Sequence, residues 1–220
     1  MSRTFPSLFD RRRLIGAFFV LPLAAGAPAV MAQTPRRRIV TILGDSITAG
    51  LGLPAKAALP AQLEAALTRG GQNVRVRGAG VSGDTTAKGL ARIDFSVQKD
   101  TDVCVVALGG NDLLQGVDVK RIRANLDKIV TRLKARGVTV VLAGIRAPRV
   151  IGAAYARDYE AAFAAVARQQ KVLFLPDLLG PVALDPRLNQ RDGIHPNPEG
   201  VKILVSRLAP VVTRALASRK

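Results

Sequence analysis

The chain has only one cysteine, one histidine, two tyrosines and no tryptophan among its 220 residues. The single cysteine, Cys104, excludes a disulfide within the chain, and it argues against a structural zinc site, which needs several Cys and His ligands. Residues 33–220 hold just three phenylalanines beside the two tyrosines, so few rings are present on which nucleic-acid bases could stack. With one histidine, any histidine base in this protein is His195.

Acidic residues are scarce relative to basic ones. The chain has 33 Lys and Arg against 16 Asp and Glu, a net charge of +17, and about +14 remains on residues 33–220 once the four arginines and one aspartate of residues 1–32 are left out. Such a balance raises nucleic-acid binding as an interpretation. However, the basic residues are spread through predicted helices rather than grouped in blocks. We expect no nucleic-acid partner, and a weak attraction to anionic lipid surfaces.

Residues 1–32 have the composition of a cleavable signal peptide. Three arginines, 11–13, precede an apolar run over 14–30, and a small-residue cleavage site ends at Ala32. A membrane anchor is the alternative, but this run is short for a span and contains two prolines. Because Arg-Arg-x-Leu-Ile also resembles a twin-arginine signal, both export routes stay open. We predict a periplasmic or secreted protein with one domain, residues 33–220.

Beyond residue 33, short apolar runs alternate with longer amphipathic segments. The pattern predicts strands at 38–43, 73–77, 101–108, 138–144 and 172–176, and helices near 60–69, 84–98, 119–136, 154–169 and 198–217. Near-continuous apolar strands that alternate with helices are typical of a parallel sheet covered on both faces. The predicted fold class is α/β, a three-layer α/β/α sandwich around a five-stranded, mostly parallel sheet. Polar loops at 44–48, 78–86 and 109–113 then share its carboxyl edge.

Two of the polar segments suit nucleophilic catalysis. Ser46 follows the first predicted strand in a turn that can project its hydroxyl, although a turn or capping serine is the alternative. The Gly-x-Ser-x-Gly motif that carries the nucleophilic serine of α/β-hydrolases is absent from the sequence. Asp192 lies three residues before His195, which places an acid beside the only histidine, although an incidental surface contact is the alternative. A serine hydrolase needs a serine, a base within reach of it and a group that orients the base.

The run Gly78-Ala79-Gly80-Val81-Ser82-Gly83 matches the dinucleotide-binding pattern G-x-G-x-x-G. That interpretation requires the motif to follow the first strand, with an acidic residue at the end of the next strand, about 20 residues on. Here the motif follows the second strand, and Asp100 and Asp102 precede or open the third. We therefore favour an interpretation in which Gly83 offers an unshielded backbone N–H to an oxyanion.

Leu108-Gly109-Gly110-Asn111-Asp112 ends the third predicted strand. Two glycines let the backbone approach closely, and Asn111 has a side-chain N–H to donate, although an ordinary strand-end turn is the alternative. One histidine among carboxylates is a poor metal signature, so we expect no metal. Taken together, these segments supply a nucleophile, a base, an orienting acid and oxyanion donors for acyl transfer. A non-catalytic basic binding protein is the alternative from another class.

Four runs of the sequence, GDSITAGLGL, GAGVSGDTTAKGLARI, LGGNDLLQG and DGIHPNPEG, resemble in order and spacing the four blocks of the SGNH (GDSL-type) hydrolases. The similarity is greater to the bacterial thioesterase I, lysophospholipase and arylesterase group. The resemblance implies that Ser46 is the nucleophile, that His195 is the base and that Asp192 orients the base. It also implies that Gly83 and Asn111 donate to the oxyanion beside the amide of Ser46, with no cofactor.

The same resemblance implies an ester, thioester or lysolipid substrate and an arylesterase-like activity, with a thioesterase or lysophospholipase specialist as the alternative. Asp45 is expected to support the turn that holds the nucleophile. The segment 145–148 and Tyr155 resemble a loop beside that group's acyl pocket. The candidates for the substrate pocket are Ala147, Pro148, Val150, Ile151 and Tyr155. Two departures from the group's usual text are Gly78, where Asn is common, and the run 149–151.

Overall fold

Short runs of β-branched and other apolar residues form five strands at the centre of the molecule. The computed structural model describes residues 36–218, and the predicted leader lies outside them. The strands are β1 (Arg38–Gly44), β2 (Val74–Gly80), β3 (Val103–Ala107), β4 (Thr139–Ala143) and β5 (Leu173–Leu175). All of β3 and six of the seven residues of β1 are buried, so both faces of the sheet are covered.

The strands form one sheet in the order β2-β1-β3-β4-β5, and each neighbouring pair is parallel. This confirms the predicted α/β class and the five strands, and it replaces "mostly parallel" with fully parallel. The order is that of a flavodoxin-like doubly wound sheet, in which the direction of winding reverses between β1 and β3. Ligands of such sheets bind in the crevice at the carboxyl ends of the strands beside this reversal.

Helices cover both faces of the sheet and produce the predicted three layers. One apolar core packs α2 and α8 against alternate strand residues, and the other packs α4, α6 and α7 against the opposite face. The helices are α1 (Ser46–Ala49), α2 (Leu59–Arg69), α3 (Thr86–Ala91), α4 (Ile93–Ser96), α5 (Gly110–Leu114), α6 (Val119–Ala135), α7 (Ala153–Gln170) and α8 (Pro198–Ala217). Short 3₁₀ turns are Ala55–Ala57, Arg149–Ile151 and Gly180–Val182.

The two helices that the sequence marks best, α6 and α8, lie where they are predicted. At the start of α8, Oδ1 of Asn197 accepts hydrogen bonds from the backbone N–H groups of Glu199 and Gly200, and Pro198 needs no partner there. The apolar stripe of α6 is buried as expected: Ile122, Leu126, Ile129, Val130 and Leu133. The described residues contain no helix with both the length and the apolar character that crossing a membrane requires.

Two predicted boundaries are wrong, and both lie near the functional edge. The predicted helix over 84–98 is divided into α3 and α4 at Arg92. The guanidinium of Arg92 binds the backbone carbonyls of Gly44 and Ala79, so this residue is held against the sheet. The polar loop predicted to begin at residue 78 begins later, because residues 78–80 still pair with β1.

Candidate active site

Ser46 lies in the first turn of α1, directly after β1 ends. Asp45 is the N-cap of this helix, and its Oδ1 accepts a hydrogen bond from the N–H of Ile47 at 3.1 Å. The close approach of α1 to β2 requires glycine at position 80, since a Cβ there would lie 2.3 Å from the backbone nitrogen of Ala49. Gly80 therefore belongs to the packing of α1 on β2, and residues 78–80 of the dinucleotide-like motif lie in the strand rather than in a phosphate-binding loop.

The structure brings the hydroxyl of Ser46 to the only imidazole in the chain. Oγ of Ser46 is 2.8 Å from Nε2 of His195, and Nδ1 of His195 is 2.6 Å from Oδ2 of Asp192. The other carboxylate oxygen of Asp192 accepts the backbone N–H groups of Ile194 and His195, at 2.9 and 3.0 Å. Since these bonds fix the carboxylate from two directions, the imidazole is oriented with Nε2 toward the serine.

Two aspartates of the site have pKa values displaced in opposite directions. The backbone N–H groups of His195 and Ile194, together with the His195 ring, lower the pKa of Asp192 to about 2. Burial raises the pKa of Asp45 to about 6, although the N–H of Ile47 opposes the effect. Asp192 is therefore ionised throughout the neutral range, as a carboxylate that orients an imidazole needs to be.

Gly83 and Asn111 line the same cavity as Ser46 and His195. Gly83 has a φ of +81°, and no atom lies within 4 Å of where its Cβ would stand, so its backbone is unshielded on that side. Nδ2 of Asn111 donates to the backbone carbonyl of Asp84 at 2.9 Å. A side-chain amide has two N–H hydrogens, so this bond anchors Asn111 and leaves a second donor for a ligand.

These groups surround one cavity of about 270 Å³. Its polar wall includes Ser46, Ser82, Gly83, Asn111 and His195, and the remainder is mostly apolar: Ile47, Leu51, Leu113, Leu114, Ile145, Leu179 and Ile194. The apolar lining suits an acyl or aryl group beside the serine, since ligand pockets combine hydrophobic walls with a few placed polar groups.

Sequence reasoning missed most of this apolar wall. Leu113 and Leu114 directly follow the Asn111 segment, so the sequence could have predicted that they line the cavity. Leu51, Ile145 and Leu179 come from separate loops, which only the fold brings together. By contrast, Asp112 faces away from the cavity, since its two carboxylate oxygens accept from Oγ1 and the backbone N–H of Thr86, at 2.6 and 2.7 Å.

The five residues predicted to form the substrate pocket do not line this cavity. Ala147 and Pro148 face a separate cleft of about 670 Å³. Val150 and Ile151 belong to an exposed 3₁₀ turn. The hydroxyl of Tyr155 donates to the carbonyl of Val117. Their role in acyl binding stays a prediction from the resemblance. Among residues 36–218, no three His, Cys, Asp or Glu side chains gather in a way that could hold a metal ion.

A parallel α/β sheet whose carboxyl edge carries a histidine bonded to a serine on one side and to an aspartate on the other is typical of a serine hydrolase. The model of the GDSL-like lipase/acylhydrolase family matches residues 42–203. The chain therefore belongs to this family.

Relatives and solved structures agree with that membership. An arylesterase of Vibrio mimicus is 37% identical over 159 residues, 72% of this chain and 80% of the relative. The thioesterase 1/protease 1/lysophospholipase L1 of Escherichia coli K12 is 34% identical over 169 residues, 76% of this chain and 80% of the relative. The crystal structure of AlinE4, an SGNH-hydrolase family esterase, matches with a TM-score of 0.69 and 41% identity over 83% of this chain and 98% of that chain. The chain is a carboxylic ester hydrolase of the SGNH type.

Proposed function

We propose that this protein hydrolyses carboxylic esters and thioesters through an acyl-enzyme on Ser46. The observation that carries the proposal is the pair of contacts made by His195, 2.8 Å to the hydroxyl of Ser46 and 2.6 Å to the carboxylate of Asp192. An imidazole held in this way has one nitrogen fixed as a donor to the acid and the other free to accept the serine proton.

The reaction then has two steps. Oγ of Ser46 attacks the carbonyl carbon of the substrate while Nε2 of His195 takes the serine proton, and the imidazolium returns that proton to the departing alcohol or thiol. In the second step His195 takes a proton from a water, whose oxygen attacks the acyl carbon. The imidazolium then returns this proton to Oγ of Ser46 as the carbon–oxygen bond breaks, which releases the carboxylic acid and the free serine. The amides of Ser46 and Gly83 and the side chain of Asn111 stabilise the oxyanion of each tetrahedral intermediate.

Ser46→Ala tests the nucleophile directly. We expect ester turnover to fall about 10⁴-fold or more, because the residual rate without a triad member comes from binding and the oxyanion donors alone. The matched control is Ser82→Ala, which removes a second hydroxyl from the same cavity. A fluorophosphonate should label the wild type on Ser46 and leave Ser46→Ala unlabelled. Retained turnover in folded Ser46→Ala would instead favour the non-catalytic alternative.

Within this activity we propose an arylesterase-like preference, with a thioesterase or lysophospholipase specialist as the second candidate. The cavity of about 270 Å³ supports the first, since it is apolar but small. The name of the Escherichia coli relative supports the second. The discriminating measurement is kcat/KM for aryl esters and acyl thioesters of increasing acyl length. A rate that falls beyond short chains supports the arylesterase, and one that rises with long thioesters supports the specialist.

We also propose that the protein is exported and meets anionic lipid. Export requires the predicted cleavage after Ala32, so the mass and N-terminal sequence of the mature protein should begin at Gln33. The basic charge of residues 33–220 supports lipid attraction. Sedimentation of Ser46→Ala with phosphatidylglycerol vesicles should exceed that with phosphatidylcholine vesicles and should decline with salt. Equal sedimentation with both would contradict the lipid proposal without affecting the esterase.

A further inference from the structure

Arg92, at the break between α3 and α4, joins the loops that carry the candidate oxyanion donors. Its guanidinium donates from Nη2 to the backbone carbonyls of Gly44 and Ala79, both at 2.9 Å, and from Nε to Oδ2 of Asp84 at 2.6 Å. Its Nη1 donates to Oγ of Ser96 at 2.8 Å. One side chain thus connects the end of β1, the end of β2 and the loop before α3.

Two of these contacts lie within two residues of a group of the proposed reaction. Gly44 is two residues before Ser46, and Asp84 directly follows Gly83. The backbone carbonyl of Asp84 also accepts the hydrogen bond that anchors Asn111. The end of β1 and the Gly83 loop therefore bind Arg92 directly, and Asn111 is connected to it through Asp84, although Arg92 does not line the cavity itself.

The positive charge of Arg92 matters as well as the hydrogen bonds that its guanidinium makes. The carboxylate of Asp84 is buried, and its pairing with Arg92 is the ion pair that offsets its charge. Without the guanidinium, the buried carboxylate of Asp84 would carry a negative charge without this partner, one residue from the Gly83 donor. Both the misplaced donors and the repulsion between this charge and the oxyanion would raise the energy of the transition state more than that of bound substrate.

We propose that Arg92 is a positioning residue, which sets the geometry of the oxyanion donors Gly83 and Asn111 relative to Ser46. The inference rests on the proposed function, because it assumes that these groups stabilise an oxyanion. Arg92 touches neither substrate nor the reacting atoms, so its effect should fall on kcat while KM stays nearly constant.

The test compares Arg92→Ala with Arg92→Lys in steady-state ester hydrolysis. We expect Arg92→Ala to lower kcat about 10²-fold, the usual cost of donors displaced by about 1 Å. Arg92→Lys should lose about tenfold, since an ammonium keeps the charge but cannot span the same acceptors. Guanidinium ion at low, non-denaturing concentration should raise kcat of Arg92→Ala. Affinity for an arylboronic acid, whose tetrahedral adduct on serine mimics the transition state, should fall in parallel with kcat/KM.

Arg136→Ala is the matched control. Arg136 is similarly buried and binds a backbone carbonyl, that of Val97, and a carboxylate, that of Asp94, away from the donor loops. It should lose stability without losing kcat, and added guanidinium should not activate it.

The inference is overturned if Arg92→Lys keeps wild-type kcat, if only KM changes, or if guanidinium leaves Arg92→Ala unchanged. If Arg92→Ala does not fold, the test rests on the kcat of Arg92→Lys and on its affinity for the arylboronic acid. An active Ser46→Ala would contradict the proposed function, whereas an inactive Ser46→Ala with an unimpaired Arg92→Lys would contradict only this inference.

Discussion

The two halves of the site are held in place by different kinds of interaction. The base half, residues 189–197, is a local turn in which Asp192 and His195 bond to each other and to the backbone between them, and the Asp192 side chain is 44% exposed. The nucleophile half is buried, and its bonds connect residues far apart in sequence, such as Asp84 with Asn111 and Thr86 with Asp112.

This difference separates activity from stability. A turn closed by contacts over three residues keeps its conformation when one side chain is shortened, whereas a buried network loses bonds that no water replaces. Substitutions in the base half should therefore reduce activity with little change in the free energy of unfolding. Substitutions in the nucleophile half should reduce both.

His195→Ala should have the largest effect on activity and one of the smallest on stability. We expect turnover to fall about 10⁴-fold, because no other imidazole exists in the chain to accept the serine proton. The free energy of unfolding should change by less than about 1 kcal/mol, as for partly exposed side chains. Ester hydrolysis and urea unfolding measure the two quantities. A large loss of stability would contradict the comparison between the two halves, since the turn of residues 189–197 would then depend on the imidazole of His195.

Asn111→Ala should have an intermediate effect and should reduce both quantities. We expect kcat to fall about 10²–10³-fold, as when one oxyanion donor is lost. Stability should fall by about 1 kcal/mol, because the bond to the carbonyl of Asp84 disappears. Asn125→Ala is the control, since Asn125 donates to Oγ1 of Thr86 in the same region but does not line the cavity. A rise in KM with constant kcat would assign Asn111 to substrate binding instead.

Asp192→Asn should lower kcat by a smaller factor, about 10 to 10². A buried aspartate in this position is worth about 10⁴ because its amide variant stabilises the wrong tautomer of the histidine. Here the carboxylate is partly exposed, so water can substitute for part of its effect. Asn can still accept the backbone N–H groups of Ile194 and His195, which preserves the turn. A loss of kcat as large as that of His195→Ala would contradict this expectation, since the partly exposed Asp192 would then matter as much as a buried aspartate does.

The sequence predicts the base half well because that half is local. Asp192 and His195 are three residues apart around Gly193, whose φ of +70° permits the tight turn, so their contact follows from the spacing alone. The central strands are equally accessible to prediction, since β3 and β4 are apolar on both faces. The pattern of parallel strands also predicts that Ser46 and Asn111 lie at one edge, because such strands end together.

The nucleophile half could be predicted only in outline. Arg92 lies 48 residues from Gly44 and 13 from Ala79, so the local sequence pattern does not predict that its side chain binds their backbone carbonyls. The same limit applies to the cavity wall, where Leu51 and Leu179 meet through the fold alone. Short helices such as α1 and α5 contain too few residues to show a period, and their positions depend on glycine contacts with neighbouring elements.

The last prediction concerns stability rather than activity, and it contrasts Asp45 of the buried half with Asp192 of the exposed half through the pH dependence of unfolding. Burial raises the pKa of Asp45 from 3.8 to about 6. The folded state therefore holds this proton more tightly than the unfolded state, and stability is lost as pH rises from about 4 through 6. Asp192 has its pKa lowered to about 2 by hydrogen bonds, so it contributes stability above pH 4 that is lost as pH falls toward 2, and exposure to solvent keeps this contribution small.

Because the two shifts have opposite signs, the two amide variants should diverge from the wild type in opposite directions. Asp45→Asn keeps an N-cap acceptor but no charge, so its stability relative to the wild type should rise between pH 4 and 7, by on the order of 2–3 kcal/mol. The stability of Asp192→Asn relative to the wild type should instead decline from about pH 2 to about pH 4 and then stay level. Urea unfolding at unit steps of pH measures both differences, and titrations common to all three proteins cancel. If the stability differences of the two variants change with pH in the same direction, the buried and exposed halves of the site do not differ in the way that the geometry predicts.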